Sequence, residues 1–281
     1  ILVAKQFSAD YASTDYREVF ADPDVDAVII ATRHHMHATL ALQALKAGKH
    51  VLLEKPLALN TQEIKDLNNF ITDNKEKELP ILMTGYNRRF SSYGRRLAEV
   101  VKNRTAPFIL NYRMNAGYLP KDHWVHGPDG GGRNIGEACH IYDLFTFLAD
   151  SVVNDITVHS IIPSSKHYFR NDNFISTLRF ADGSVASLTY TAMGSKEYPK
   201  EMAEIFVDGK LGMMEDYKQL KIYGAKKLNL KTSIQQKGLK EELLAFAEGI
   251  SDGEWPIPWW QQLQSAQIAL TVENQINSKL N

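Results

Sequence analysis

The sequence predicts an α/β fold in two parts: a parallel sheet covered by helices, then an α+β domain with a large, mostly antiparallel open sheet. Up to about Tyr86, short apolar runs alternate with helical stretches, which is the βαβ order of a parallel sheet. Beyond Tyr86, strand patterns follow one another over long stretches without helices. We therefore predict two domains, residues 1–86 and residues 87–281.

In the first domain, continuous runs of β-branched and aliphatic residues predict strands that are buried on both faces. These runs cover residues 27–31, 51–53 and 80–85. Helical periodicity predicts helices over residues 15–20, over residues 38–46 and from residue 61 onward. Gly48 can end the second helix, and Ile64, Leu67 and Ile71 give the third helix one apolar face.

The second domain begins with a predicted strand over residues 108–115 and a helix over residues 134–148. Two hairpins are predicted around the turn pairs Asp182-Gly183 and Asp208-Gly209. Two helices, over residues 239–250 and 260–278, follow. We expect these helices to cover one face of the sheet. A flat, apolar second face would favour a homo-oligomer, a dimer or a tetramer.

The composition argues against several classes of protein. The formal net charge of −1 gives no basic field for nucleic acid, and no apolar run approaches the roughly 20 residues that span a bilayer. Cys139 is the only cysteine, so no intrachain disulfide can form, which fits a reducing compartment. We therefore expect a cytoplasmic protein without nucleic-acid or membrane partners.

The segment Glu54-Lys55-Pro56 directly follows the second predicted strand. Ligands bind at the carboxyl ends of the strands in open α/β sheets, so Lys55 is expected at the rim of a cleft. A lysine that leaves an apolar strand loses hydration, which suits it to proton or charge chemistry. The alternative is a strand that simply ends in a lysine.

Polar residues, Thr32 to His37, also follow the first predicted strand and are expected at the same sheet edge as Lys55. The alternative is a helix N-terminus with incidental histidines. A zinc site at His34 and His37 is not predicted, because nothing nearby completes a ligand set.

Three glycines, residues 130–132, precede a predicted helix that carries Glu137, His140 and Asp143 at spacings of three. Such glycines let backbone approach a ligand, and the three side chains are expected to share one helix face. A carboxylate beside a histidine can raise its basicity. The other interpretation is a capped helix end with a solvated face. Cys139 points elsewhere on the helix and is interpreted as a buried structural residue.

Two further groups of residues each allow two interpretations of their role. Arg88, Arg89 and the loop residues 121–124 could line a polar ligand pocket or clamp the two domains together. The pair Trp259-Trp260 is better explained by packing at a helix entry than by a site.

Taken in order, these residues resemble a known family. The matching segments are Asp22–Thr32, His37, Ala47–Val51, Glu54–Pro56, Arg89-Phe90 and Gly131–Asp143. They resemble the Gfo/Idh/MocA oxidoreductases, named for glucose-fructose oxidoreductase and inositol dehydrogenase, from about Tyr11 to Leu148. Residues 31–34 and 115–124 are most similar to a subgroup in which this unit is fused behind a zinc alcohol-dehydrogenase-like half.

The resemblance implies a Rossmann domain that binds NAD or NADP, and hydride transfer to or from a carbon of a sugar, cyclitol or nucleotide sugar. It implies that Lys55 is the catalytic lysine, that His140 is the general acid/base and that Glu54 lies near the nicotinamide ribose. The Lys55-Pro56 bond is often cis in the family. The candidate catalytic residues are Lys55, His140 and Glu137. The candidate cofactor-binding residues are Thr32, Arg33, His34, His37, Glu54, Lys55, Pro56 and Arg89. The candidate substrate-binding residues are Lys55, Trp124, Glu137, His140 and Asp143.

The chain departs from the family at two points. Many members carry an aspartate four residues before the histidine, where this chain has Gly136 followed by Glu137. The glycine-rich pyrophosphate turn after the first strand does not occur, so about one βαβ unit before Ile1, roughly 40 residues, is expected to be missing. Its absence would expose unpaired strand edges and remove the helix N-terminus that holds pyrophosphate.

Two functions follow from these patterns. In an oxidoreductase, His140 would take the proton of an alcohol while cationic Lys55 stabilises the alkoxide. The alternative is a non-catalytic binding or assembly module that uses the same fold, which the missing phosphate turn and Gly136 favour.

Overall fold

The structure, a computed structural model, describes residues 2–76, 78–165 and 167–278. Ile1, where the predicted first domain begins, and residues 279–281, where the predicted second domain ends, lie outside these ranges. Two sheets organise the described chain, one of three strands and one of eight. A parallel sheet is followed by a larger, mostly antiparallel one, which confirms the predicted fold class.

The first sheet is parallel throughout, in the order β1-β2-β3. Its strands are β1 (Ala27–Ile30), β2 (His50–Leu53) and β3 (Leu82–Thr84). The helices of this region are α1 (Leu2–Gln6), α2 (Tyr16–Ala21), α3 (His37–Lys46) and α4 (Thr61–Asp73). Ile64, Leu67 and Ile71 of α4 are buried as predicted and share a core with α3 and the strands. Gly48 ends α3 with a positive φ of 78°, as its C′ position predicted.

β1 is not buried on both faces, as its continuous apolar run predicted. Ile29 is 63% exposed, whereas Ile30 lies in the core shared with α3 and α4. β1 is an outer strand of the sheet, and no strand of the described chain pairs with its free edge. The prediction of full burial is therefore wrong for one face of this strand.

The second sheet has the order β11-β10-β9-β8-β4-β7-β6-β5. Its strands are β4 (Ile109–Asn115), β5 (Val153–Ser160), β6 (Asn173–Phe180), β7 (Val185–Thr191), β8 (Glu201–Val207), β9 (Lys210–Glu215), β10 (Gln219–Tyr223) and β11 (Leu230–Lys231). Among the neighbouring strands described here, only β4 and β7 pair in parallel. Both predicted hairpins form, and Asp208 and Gly209 at the second turn have positive φ angles of 47° and 70°.

Helices cover one face of this sheet. They are α5 (Ser92–Val101), α6 (Cys139–Ala149), α7 (Leu239–Asp252) and α8 (Trp259–Ser278). The opposite face carries exposed apolar side chains, among them Ile109, Ile175, Phe206 and Tyr223. Within the described ranges, no helix has the length and hydropathy needed to cross a bilayer.

The last helix, α8, packs against both sheets. Gln262 Oε1 accepts hydrogen bonds from the backbone N–H (2.8 Å) and the hydroxyl (2.9 Å) of Thr84 at the end of β3. Its Nε2 donates to the carbonyl oxygens of Leu82 and Ile257, both at 2.9 Å. Trp259, at the entry of α8, donates to Asn68 of α4 at 3.1 Å. The chain therefore returns from the second part to complete the core of the first.

Candidate active site

Lys55 lies just beyond the carboxyl end of β2, where the sequence predicted it. The Lys55-Pro56 peptide bond is cis. Lys55 Nζ donates a hydrogen bond of 3.1 Å to the carbonyl oxygen of Gly136, 81 residues later in the chain. Lys55 therefore connects the edge of the first sheet to the segment that leads into α6.

Gly136 belongs to a π-helical turn, Asn134–Ala138, that runs directly into α6. Such turns are wider than an α-helical turn and are frequent at functional sites. A Cβ atom at position 136 would lie 2.8 Å from Cε1 of His34. A larger residue at this position would therefore crowd the His34 ring, and glycine lets the turn approach the first sheet.

His140 stands at the start of α6, four residues after Gly136, and is 6% exposed. Its Nδ1 is enclosed and has no hydrogen-bond partner within the described part of the chain, so Nε2 is the nitrogen available to a ligand. Burial lowers the pKa of His140 well below its ordinary value, and the positive charges of Arg88 and Lys55 lower it further. The ring is therefore neutral at physiological pH and can accept a proton.

The residues that follow β1 reach the same edge as Lys55. His37 Nδ1 donates to the carbonyl oxygen of Pro56 at 2.8 Å, and its Nε2 lies 3.1 Å from the carbonyl oxygen of Thr32. His34 Nδ1 donates to the carbonyl oxygen of Gly130 at 2.8 Å. Burial lowers the pKa of His34 to about 4, so this ring is neutral. Both histidines hold backbone segments in place around the cleft.

The edge also carries more open groups. Thr32 and Arg33 are exposed, and Glu54, directly after β2, is half-buried. The Arg33 guanidinium lies 4.1 Å from the centre of the Trp124 ring, a cation–π contact. The ring of His34 meets Trp124 edge-on at 4.7 Å. Trp124 thus brings a loop of the second part against the end of β1.

Glu137, a predicted catalytic and substrate-binding residue, is fully engaged with neighbouring side chains. Its carboxylate accepts hydrogen bonds from Lys200 Nζ (2.7 Å), from Arg133 Nη2 (2.9 Å) and from the Tyr190 hydroxyl. Burial alone would raise the pKa of Glu137, but Lys200 and Arg133 outweigh it and lower the pKa to about 2. A carboxylate that stays ionised to such low pH is unsuited to proton exchange near neutrality.

Arg89 and Asp143 do not reach the cleft. Arg89 binds Asp143 through two nitrogens, with Nε 2.9 Å from Oδ2, and donates to Gln261 Oε1 at 2.6 Å. Both side chains are buried. Glu137 and Asp143 also contact different neighbours. The wider π turn rotates Glu137 away from the helix face that it was predicted to share with Asp143. This placement argues against direct contact of Arg89 with a cofactor and of Asp143 with a substrate.

The structure thus places Thr32, Glu54 and Lys55 at the carboxyl edge of the first sheet, with Trp124 against the end of β1. His140 lies one helical turn after the Gly136 carbonyl that Lys55 contacts. Sequence reasoning missed Lys200, Tyr190 and Arg133. No local signal marks Lys200 and Tyr190, because their contacts with Glu137 span 63 and 53 residues. Across residues 2–76, 78–165 and 167–278, no group of three or more His, Cys, Asp or Glu side chains is arranged to hold a metal ion.

The chain is similar in sequence to enzymes that act on sugars and cyclitols. It is 27% identical over 186 residues to myo-inositol 2-dehydrogenase of Thermotoga maritima, covering 64% of this chain and 54% of the relative. It is 27% identical over 194 residues to levoglucosan dehydrogenase of Pseudarthrobacter phenanthrenivorans, covering 64% and 47%. The chain therefore spans about half the length of the curated relatives that it matches.

Solved structures share the fold. The UDP-N-acetylglucosamine 3-dehydrogenase of Acidithiobacillus ferrooxidans superimposes with a TM-score of 0.79 at 20% identity, covering 100% of this chain and 87% of that chain. A levoglucosan dehydrogenase in complex with NADH gives a TM-score of 0.78 at 20% identity, covering 99% and 85%. At these identities the likeness shows the fold alone.

The sequence profile of one family matches the first part of the chain. The profile is GFO_IDH_MocA, described as an oxidoreductase family with an NAD-binding Rossmann fold, and it matches residues 2–79. This match, the relatives and the geometry around Lys55 and His140 agree. Residues 2–79 are therefore similar to the NAD-binding Rossmann region of the Gfo/Idh/MocA oxidoreductases.

Proposed function

We propose that the protein is an NAD- or NADP-dependent oxidoreductase that oxidises or reduces one carbon of a sugar, cyclitol or nucleotide sugar. One observation carries the proposal: Lys55 Nζ donates to the Gly136 carbonyl, one helical turn before the buried His140. A cation and a neutral base thereby lie close to the same turn, at the start of α6. The named relatives act on such polyhydroxylated compounds.

Lys55 and His140 divide the acid–base work on the alcohol. His140 is neutral and has Nε2 free for the hydroxyl, so it takes the proton as the carbon is oxidised. Lys55 has further N–H donors beyond the one given to Gly136, and these stabilise the negative charge that develops on the oxygen. The same two groups serve the reduction, in which the proton moves in the opposite direction, from His140 to the oxygen.

The residues at the sheet edge fit the nicotinamide half of the cofactor. Thr32 offers an exposed hydroxyl, and Glu54 offers a half-buried carboxylate suited to ribose hydroxyls, beside Lys55. When bound there, the nicotinamide accepts or supplies the hydride. We propose Thr32, Glu54 and Lys55 as cofactor contacts, with Trp124 facing the substrate or the nicotinamide.

Binding and turnover measurements test this function. Calorimetry with NAD(H) and NADP(H) should detect binding of at least one cofactor. Assays with myo-inositol, scyllo-inositol, levoglucosan and UDP-N-acetylglucosamine probe the substrate class. Lys55→Ala and His140→Ala should each lower kcat by at least about 100-fold, whereas the exposed Lys46→Ala should not.

The alternative function makes a different prediction for the same variants. If the protein is a non-catalytic binding or assembly module, Lys55→Ala and His140→Ala leave its activity or phenotype unchanged. Absence of binding of every nicotinamide cofactor in calorimetry would also count against the oxidoreductase.

We also propose a homo-oligomer formed through the open face of the second sheet. Ile109 and Phe206 are cross-strand neighbours there and are 55% and 42% exposed, and such apolar faces commonly mark interfaces. Phe206→Lys should lower the mass measured by light scattering to that of a monomer, whereas Glu248→Lys on α7 should not. A wild-type protein that is monomeric over a wide concentration range would contradict this proposal.

The subgroup assignment is a proposal of the same kind. Residues 31–34 and 115–124 support placement with proteins in which this unit is fused to a zinc alcohol-dehydrogenase-like half. The free edge of β1 and the exposed Ile29 would suit pairing with a further strand. The sequence encoded upstream of Ile1 tests both points, and a reading frame without a strand and a glycine-rich turn would contradict them.

A further inference from the structure

Four buried polar atoms on α6, on α7 and on the segment before α5 have no hydrogen-bond partner among residues 2–76, 78–165 and 167–278. They are His140 Nδ1, Tyr86 Oη, Arg88 Nε and Glu242 Oε1. Buried polar atoms are nearly always paired, either with protein or with ordered water. Because the elements that carry them pack on one another, four such atoms indicate a small hydrated network, since a buried water needs several polar partners.

The elements that carry these atoms pack on one another. The Tyr86 ring lies edge-on to the His140 ring, with 6.4 Å between their centres. The turn Asn87–Phe90 follows Tyr86 directly, and α7 begins against this turn, where a Cβ on Gly238 would be 2.4 Å from the Asn87 carbonyl oxygen. One turn into α7, the backbone N–H of Glu242 bonds to the Gly238 carbonyl oxygen at 2.8 Å.

Glu242 is a buried acid, 4% exposed, that faces charged groups from three neighbouring elements. Glu54 faces it from the end of β2, Asp143 from α6 and Arg88 from the turn before α5. Burial raises the pKa of Glu242 to about 8, the two carboxylates act in the same direction, and Arg88 opposes them. Glu242 therefore holds a proton at neutral pH and exchanges it just above.

We propose that Tyr86 and Glu242, together with ordered water, form a proton relay that connects the enclosed side of His140 to solvent. The inference rests on the proposed oxidation of an alcohol. The substrate proton passes to His140 Nε2, and the imidazolium releases the proton on Nδ1 to the Tyr86 hydroxyl, which passes its own proton onward. The ionised Glu242 takes the last proton and loses it to solvent. Tyr86 and Glu242 act through His140 and touch neither substrate nor cofactor.

The pH profile of turnover distinguishes a relay from a structural role. In the wild type, kcat for alcohol oxidation should rise as Glu242 ionises near pH 8, because only the carboxylate can accept the proton. Glu242→Gln and Tyr86→Phe should lower kcat about tenfold and flatten this rise. The control Glu248→Gln, exposed on the same helix, should keep the wild-type profile. A Glu242→Gln variant that retains the rise would overturn the relay.

A second measurement needs neither substrate nor cofactor. Infrared difference spectra should show a protonated carboxyl band that titrates near pH 8 and is absent from Glu242→Gln. The NMR signals of the His140 ring should follow the same titration in the wild type and not in Tyr86→Phe. His140 signals that do not change over the pH range in which Glu242 titrates would overturn the relay. A protein that shows the coupled titration but oxidises no alcohol would contradict the proposed function alone.

Discussion

Glu137 illustrates how neighbouring side chains decide what a carboxylate can do. Its position beside His140 suggested acid or base chemistry, but Lys200, Arg133 and Tyr190 saturate its oxygens. An ion pair of this kind fixes the side chains around a site and contributes no proton near neutral pH. The position of a titratable residue in the sequence therefore did not predict its chemistry, because distant strands supply its partners.

The low pKa of Glu137 predicts a specific dependence of stability on pH. The folded pKa, about 2, lies below the ordinary value of 4.5, so this carboxylate stabilises the fold above pH 4.5 and loses that effect as pH falls toward 2. Glu137→Gln should lower the free energy of unfolding at neutral pH by about 3 kcal/mol. Denaturant unfolding of both proteins should show this difference shrinking in acid.

Glu215→Gln serves as the control for Glu137→Gln, because Glu215 is exposed at the end of β9. It should change the unfolding free energy by less than about 0.5 kcal/mol. A constant difference between the wild type and Glu137→Gln from neutral pH to about pH 3 would contradict the assigned pKa.

Among the elements, α8 has the most extensive role, since it belongs to the packing of both sheets. Gln262 alone satisfies the backbone N–H of Thr84 and the carbonyl oxygens of Leu82 and Ile257. All of these groups are buried with it. A single amide thereby attaches the last helix to the third strand of the first sheet.

Removal of the Gln262 side-chain amide should lower the free energy of unfolding. Gln262→Leu keeps an apolar side chain of similar size but leaves buried backbone groups of Thr84 and Leu82 unpaired, which costs about 1–3 kcal/mol for each such group. We expect the unfolding free energy to fall by at least about 2 kcal/mol, measured by denaturant titration. Gln267→Leu, exposed on the same helix, is the matched control, and equal losses in the two variants would contradict the assigned role of Gln262.

Most elements could be predicted from local patterns in the sequence. The apolar spacing of α4, the turn pairs of the two hairpins and the glycine after α3 each depend on a few adjacent residues, and these elements end within a few residues of their predicted bounds. The π turn at Asn134–Ala138 could not be predicted from local sequence. Its close contacts are with His34 and Lys55, which lie far away in the chain. The exposed face of β1 was missed because burial depends on neighbouring strands.

At the scale of the whole molecule, the two predicted domains share parts of their cores. The core around α3, α4 and the first sheet includes Ala266 of α8, with Trp259 packed against it. The predicted boundary after Tyr86 therefore falls between the three strands of the first sheet and α8, the helix that completes their core. The two sheets are expected to depend on each other for stability.

A fragment tests this dependence. Residues 1–86 expressed alone should not fold, because Ala266, Trp259 and the hydrogen bonds of Gln262 are missing from their core. Circular dichroism and the dispersion of amide NMR signals measure the outcome, with the 281-residue chain as the control under the same conditions. A fragment with a cooperative unfolding transition would show that the first part is an independent domain.

The return of α8 to the first sheet also sets the order of events during synthesis on the ribosome. Gln262 lies 178 residues after Thr84, to which it bonds, so the first sheet emerges long before the helix that completes it. At about 5–20 residues per second, bacterial and eukaryotic ribosomes leave this sheet incomplete for roughly ten to forty seconds. Its apolar surface around β3 is therefore expected to stay exposed until α8 has emerged and packed against it.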